Sequence, residues 1–235
     1  MPSPIDVRVH EACPRGPRSG VRVVRAGLCV ALVLLALPLA SCNIVGAGYV
    51  LLHGPPTIPP EYTLDKTRTT ALLIDDRSGV LPRRILTQQI AQSVESALLD
   101  KKLVDDLISS RATRMIASQE QHDKPISLQQ IARGVGADVL IDVTIDAFSL
   151  SPDGQTFAPT STARVKVFDA ETGERLWPEQ REGFTRTIRM PTQQGSAPTS
   201  RTELLEAQRT LASWTGIGVA QLFYKRERTD DKGRG

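Results

Sequence analysis

The chain has 235 residues, with 29 lysines and arginines against 26 aspartates and glutamates, and a formal net charge of +3. This length predicts one domain of ordinary size with additional segments. Residues 1–41 hold five of the arginines and two acidic residues, which leaves 24 basic and 24 acidic residues beyond them. A balanced charge excludes the basic footprint of a nucleic-acid-binding protein. Only Cys42 of the three cysteines lies beyond residue 41, which excludes a disulfide or a thiolate metal site there.

An uncharged, largely apolar run over residues 26–42 directly follows those five arginines. Basic residues, an apolar run and then small residues are the layout of a secretory signal. The run ends Leu39-Ala40-Ser41-Cys42, which resembles the bacterial lipobox, in which small side chains fit the signal peptidase and the cysteine is diacylated. We therefore expect cleavage before Cys42, which then carries diacylglycerol and an N-acyl chain. No other cofactor and no metal is predicted.

The alternative is that residues 26–39 form an uncleaved transmembrane helix. The run is shorter than the roughly 17 apolar residues that a spanning helix needs, and Pro38 interrupts its end. Acylation at Cys42 would make the protein anchored to the membrane instead of spanning it. Asn43 follows the cysteine, and the resemblance to sorted lipoproteins implies transfer to the inner leaflet of the outer membrane, facing the periplasm.

Residues 42–69 are predicted to be a tether between the acylated cysteine and a folded domain. Four prolines between residues 55 and 60 keep this stretch extended and remove backbone donors. The folded domain is predicted over residues 70–225. A charged and disordered tail is predicted over residues 226–235.

The first half of the domain begins with a buried strand at residues 70–75, which ends in a polar turn. Apolar side chains recur at helical spacing over residues 82–101 and predict a long amphipathic helix. A second strand is predicted at residues 103–108 and a short helix at residues 111–119.

The second half begins with a short helix that Ser127 caps and that ends at Gly134–Gly136. Strict alternation over residues 139–148 predicts a strand with one buried face. Further strands are predicted at residues 161–169, 175–177 and 181–190. A final helix begins at Ser200 or Thr202, and Gly216 and Gly218 within it indicate close packing or a kink.

Two segments resemble the periplasmic lipoprotein domains of the curli-secretion protein CsgG and the penicillin-binding-protein activator LpoB. The first is Ile131-Ala132-Arg133-Gly134-Val135-Gly136-Ala137-Asp138-Val139-Leu140-Ile141, a helix stop before an apolar strand. The second is Asp169-Ala170-Glu171-Thr172-Gly173-Glu174-Arg175-Leu176-Trp177, a hairpin turn. The resemblance implies a single α/β (α+β) domain with a mixed central sheet flanked by helices, used for contacts between proteins at the cell envelope.

Leu140 and Phe148 are apolar residues on the otherwise polar face of the strand over residues 139–148. Apolar side chains there need a helix, a partner or another subunit to cover them. A surface for a protein partner is one hypothesis for these two residues, and cover by a helix of the same domain is the other.

No residue pattern predicts an enzyme. Asp75 and Asp76 end the first strand, where open α/β sheets often place ligand sites, but turn residues exposed to solvent are the favoured interpretation. Asp142 and Asp146 lie about 13 Å apart along one strand, too far for two carboxylates acting on one bond. The three histidines show no metal-ligand spacing.

The sequence therefore predicts a lipid-anchored envelope lipoprotein that acts as a non-catalytic binding or assembly accessory. Cell-wall synthase activation and a transport or secretion complex are the roles considered. One alternative is a structural lipoprotein that associates with itself. Another is a periplasmic domain that binds or converts a small molecule through Asp75 and Asp76.

Overall fold

A six-stranded mixed β-sheet lies at the centre of the fold, with helices packed on both of its faces. The structure is a computed structural model that describes residues 57–119, 126–191 and 197–227. None of the helices in these ranges is long and apolar enough to cross a membrane.

Eight strands and four helices make up the described part of the chain. The strands are β1 (Thr57–Ile58), β2 (Thr70–Asp75), β3 (Leu107–Ile108), β4 (Val139–Ser149), β5 (Thr160–Asp169), β6 (Arg175–Trp177), β7 (Phe184–Arg189) and β8 (Arg226–Glu227). The helices are α1 (Arg84–Asp100), α2 (Ser110–Ala117), α3 (Leu128–Val135) and α4 (Arg201–Ala220).

The central sheet has the order β3-β2-β4-β5, and β6 and β7 both pair with the far side of β5. Strand β2 runs parallel to β3 and β4, whereas β5 runs antiparallel to β4, β6 and β7. Helices provide the long connections that parallel strands require, and short loops join the antiparallel ones. The predicted mixed α/β class is confirmed.

Helices α1 and α4 cover the first face of the sheet. Odd-numbered residues of β4 and β5 face them, as the strand period of two requires. The apolar stripe of α1 lies on this face, together with the C-terminal half of α4. The large, fully buried side chains between the helices and this face include Leu72, Leu86, Ile90, Leu98, Ile141, Ile145, Ile188 and Leu222. This is the main hydrophobic core.

Helices α2 and α3 cover only part of the second face. They pack on Ala71 and Leu73 of β2 and on Leu140 of β4, in a smaller second core. Toward the end of β4 the burial pattern changes from continuous to alternating, because no described helix covers that part of the face. The second face is therefore apolar near the start of β4 and polar beyond Leu140.

The capping residues act as the sequence predicts. Ser127 and Gln130 form a reciprocal capping box at the start of α3, and Ser200 and Glu203 form another at the start of α4. Gly136 ends α3 with φ of +76°, in the left-handed region that favours glycine.

Strand β3 is shorter than the predicted strand over residues 103–108. Lys102 has φ of +52°, and the N–H of Leu103 donates to the carbonyl of Leu98, so these residues close the end of α1. An apolar run alone does not separate a helix closure from a strand. Only Leu107 and Ile108 remain to pair with β2.

The folded unit extends beyond both ends of the predicted domain. Tyr62 and Leu64 pack against the main core, although residues 42–69 were predicted as a tether. At the other end, β8 pairs antiparallel with β1, although residues 226–235 were predicted as a disordered tail. Apolar side chains between the prolines and β2 therefore pack on the core instead of belonging to an extended tether.

The predicted partner surface of Leu140 and Phe148 is wrong. Leu140 is fully buried beneath α2 and α3. A β-bulge at Asp146 reverses the alternation of β4, so Phe148 pairs with Ser161 and lies against the main core on the first face. The two side chains therefore lie on opposite faces of the sheet, and helix cover is the correct alternative for Leu140.

We expect Gly216→Ala to destabilise the fold by about 1–3 kcal/mol. A Cβ atom there would lie 2.5 Å from the carbonyl oxygen of Ile90 and 2.6 Å from Cβ of Ser93, in the contact between α4 and α1. Urea unfolding monitored by tryptophan fluorescence measures the change.

Gly134→Ala in α3 is the matched control, because its added Cβ would meet only side-chain atoms of Ile116, the nearest of them Cγ2 at 3.1 Å. A Gly216→Ala protein as stable as the Gly134→Ala protein would contradict the close contact.

Candidate functional site

A patch of charged side chains occupies the part of the second sheet face that α2 and α3 leave uncovered. Asp142 of β4 lies opposite Lys166 of β5, and Thr144 lies opposite Arg164. On the other side of β4, Asp75 is the partner of Thr144. Strand alternation places these side chains on one face. We call the set of Asp75, Arg77, Asp142, Asp146, Arg164 and Lys166 the charged patch.

Asp142 is the most unusual residue of the charged patch, because only 7% of it is exposed. Burial disfavours its ionised form and, with the nearby Asp75 carboxylate, raises its pKa to about 6. Lys166 and Arg77 act in the opposite direction and lower the pKa. Asp142 is thus a carboxyl group that changes charge in the mildly acidic range.

The other carboxylates of the charged patch are held by arginines. Arg164 donates from Nε and Nη2 to the two oxygens of Asp146, at 3.0 and 2.7 Å. Nε of Arg77 lies 2.9 Å from Oδ2 of Asp75. The charged patch contains three carboxylates and three cations, so its charge is balanced when all are ionised.

Asp76 has a structural role next to the charged patch. Its carboxylate accepts hydrogen bonds from the N–H groups of Val80 and Leu81, at 2.9 and 3.3 Å. These bonds shape the turn that carries the chain from β2 to α1. The hypothesis of a small-molecule site built on Asp75 and Asp76 loses support, since Arg77 and the turn amides engage these carboxylates.

The described residues contain no group of three or more histidine, cysteine, aspartate or glutamate side chains that could hold a metal ion. His53 and His122 lie outside the described residues.

Trp177 stacks with Tyr62, Phe184 and Phe223 at the edge of the main core. Its ring therefore contributes to packing.

The two segments that carry the family resemblance have structural functions. The Asp138 carboxylate accepts from the N–H of Thr69 at 2.8 Å, and Arg68 binds both the Asp138 carbonyl and the Asp169 carboxylate. The N–H of Thr172 and Arg68 lower the pKa of Asp169 to about 2. These contacts fix the starts of β2 and β4 and the hairpin after β5.

Sequence reasoning did not identify Arg164 and Lys166 as members of a site. Their alternation with Ala163, Val165 and Val167 indicated an exposed strand face, but their position beside Asp142 depends on the pairing of β4 with β5. Leu39, Ala40, Ser41 and Cys42 lie outside the described residues, so the cleavage and lipidation site stays a prediction.

No family model matches the sequence, and no match was found among curated proteins. The solved structures that are similar to the chain at low identity include the three that follow. The PelC dodecamer from Paraburkholderia phytofirmans is 12% identical, with 72% of this chain and 96% of that chain covered and a TM-score of 0.38. Lipoprotein GNA1162 from Neisseria meningitidis is 15% identical, with coverages of 59% and 91% and a TM-score of 0.37.

The C-terminal domain of LpoB from Salmonella enterica is 19% identical, with coverages of 53% and 84% and a TM-score of 0.31. One of the two families that the sequence resembles is thus among the structural matches, and the resemblance to CsgG stays a prediction. Identities and TM-scores this low do not transfer a function.

We expect Asp142→Asn to stabilise the protein above pH 6 and to have little effect near pH 4. Because the folded-state pKa of Asp142 is about 6 and its unfolded-state pKa is about 4, the folded protein binds more protons between these values. Stability of the wild type therefore falls as pH rises through this window. The variant avoids the loss, which is on the order of 2–3 kcal/mol.

Urea unfolding at intervals from pH 4 to pH 8 measures this difference. The exposed Asp105, changed to Asn, is the control for loss of one negative charge. A constant stability difference between Asp142→Asn and wild type over the whole range would show that Asp142 does not titrate as described.

Proposed function

We propose that the chain is a lipid-anchored lipoprotein of the bacterial cell envelope and that its folded domain is a non-catalytic binding module. The observation that carries the proposal is Leu39-Ala40-Ser41-Cys42 at the end of an uncharged run preceded by five arginines. Diacylglycerol and an N-acyl chain on Cys42 supply the several hydrophobic chains that stable anchoring requires.

The short distance along the chain between Cys42 and the folded unit supports a role close to the membrane. Residues 43–56 are the 14 residues that separate Cys42 from β1. Covalent geometry limits their reach to about 50 Å. The module therefore lies within one or two domain diameters of the lipid surface. Its partners are envelope proteins exposed to the same compartment.

An accessory role fits the described surface better than catalysis. The carboxylates of Asp75 and Asp146 are paired with arginines, and Asp76 shapes a turn. Asp142 lies opposite Lys166 and near the Asp75 carboxylate, but Arg77 engages Asp75, and burial of Asp142 leaves its carboxyl little access to a substrate. The proposed role is to activate a cell-wall synthase or to assist a transport or secretion complex, from the inner leaflet of the outer membrane.

We expect Cys42→Ser to abolish labelling by a clickable palmitate analogue and to release the protein from the membrane fraction. Without the thiol, the prolipoprotein receives no diacylglycerol and has no acyl chains to insert. In-gel fluorescence and membrane fractionation of cells expressing the full chain measure both effects.

Cys29→Ser is the matched control, because Cys29 lies in the apolar run ahead of the cleavage site and its loss should leave labelling unchanged. A Cys42→Ser protein that stays in the membrane, together with an unlabelled wild type, would instead identify residues 26–39 as an uncleaved helix.

Density-gradient separation of the two membranes then tests the sorting proposal, with Asn43→Asp expected to retain the protein in the inner membrane.

A further inference from the structure

A groove of about 670 Å³ lies between α1 and α2 and is open to solvent. Its volume falls within the range of about 300–1,000 Å³ that is usual for binding pockets. Most of the residues that line it are polar by type. The lining residues used below are Gln88, Gln92 and Glu95 of α1 and Arg111, Arg114 and Met115 of α2.

Two arginines give the groove a positive charge that no residue of the described ranges neutralises through an ion pair. Arg111 and Arg114 are three residues apart on α2, so they lie on one side of the helix. Neither guanidinium has an ion pair or hydrogen bond with another residue of the described ranges, in contrast to Arg77 and Arg164 in the charged patch.

The single carboxylate of the groove is already engaged. Glu95 accepts a hydrogen bond of 2.6 Å from the N–H of Ser110, the first residue of α2. A carboxylate at this position compensates the positive end of the helix dipole and satisfies one of its free N–H groups. Two arginines therefore face one committed glutamate, and the groove has a net positive charge.

The remaining lining matches a peptide better than a free anion. Gln88 and Gln92 lie one turn apart on α1, and each side-chain amide both donates and accepts, as peptide N–H and C=O groups require. Met115 is 63% exposed at the wall of the groove, where its flexible thioether fits apolar side chains of varied shape.

We infer that the groove binds an acidic peptide segment of another envelope protein, with an apolar residue of that segment against Met115. Carboxylates of the segment pair with Arg111 and Arg114, whose planar guanidinium groups suit bidentate binding. This inference rests on the proposed function, since it requires the domain to face other envelope proteins. It adds the location of the site and the charge of the partner.

Photo-crosslinking in the native host tests the inference on the full chain. p-Benzoylphenylalanine replaces Gln92 in the groove or, as a control, the exposed Thr187 of β7 at the opposite edge of the sheet. We expect a cross-linked partner from position 92 and none from position 187. Mass spectrometry of the cross-linked peptide should show a segment with net negative charge.

Charge variants separate the groove from general surface charge. Arg111→Glu with Arg114→Glu should reduce the cross-linked yield at least about tenfold. Arg201→Glu with Arg209→Glu, two exposed positions of α4, changes the net charge equally and should leave the yield unchanged. Should the first pair not fold, as judged by circular dichroism, Arg111→Gln with Arg114→Gln is measured in its place.

Four outcomes would overturn the inference: no cross-link at position 92, a cross-link to a second copy or to the same chain, a neutral or basic partner segment, or a yield that the groove variants do not change. These outcomes are distinguishable from failure of the proposed function, because palmitate labelling at Cys42 is scored in the same cells before cross-linking.

Discussion

Strand β4 is the element on which the rest of the structure depends, since it joins a parallel sheet to an antiparallel one. It pairs in parallel with β2 and antiparallel with β5, and its 11 residues are the longest strand of the described chain. Its start is buried on both faces, as parallel strands with helices on each side are. Its end is buried on one face only, as in an antiparallel sheet open to water.

Strand β4 changes from burial on both faces to burial on one face at Asp142. This change explains the electrostatics of the charged patch. Asp142 follows the last residues under α2 and α3, so its carboxyl is desolvated by them while its neighbours are already polar. Four residues later the strand is exposed enough to solvent for Asp146 and Arg164 to form a partly exposed ion pair. Such a pair contributes little stability, whereas the buried carboxyl carries a cost that depends on pH.

The sequence was informative where local chemistry decides the structure. Helix caps at Ser127 and Ser200 and the stop at Gly136 are set by neighbouring residues, and the structure contains them. It was uninformative where distant segments meet. The bulge that turns Phe148 inward, the helices over Leu140 and the packing of Tyr62 depend on pairing and tertiary contacts that no short window contains. The charged patch depends on both kinds of information. The strand pattern identifies its residues as members of a polar face, but it does not show which residues of the neighbouring strands lie beside them.

The same helix that closes the second core also presents the arginines of the groove. The hydroxyl of Thr113 in α2 donates a buried hydrogen bond of 2.6 Å to the carbonyl of Leu72 in β2, and Glu95 of α1 holds the first N–H of the helix. Arg111 and Arg114 are therefore carried on a backbone that the core fixes in place, so binding costs the entropy of ordering their side chains but little backbone entropy. With 24 basic and 24 acidic residues beyond residue 41, long-range attraction between the domain and a partner is weak. Recognition then depends on short-range contacts, and a groove whose arginines have no ion-pair partner among the described residues concentrates those contacts at one place on the domain.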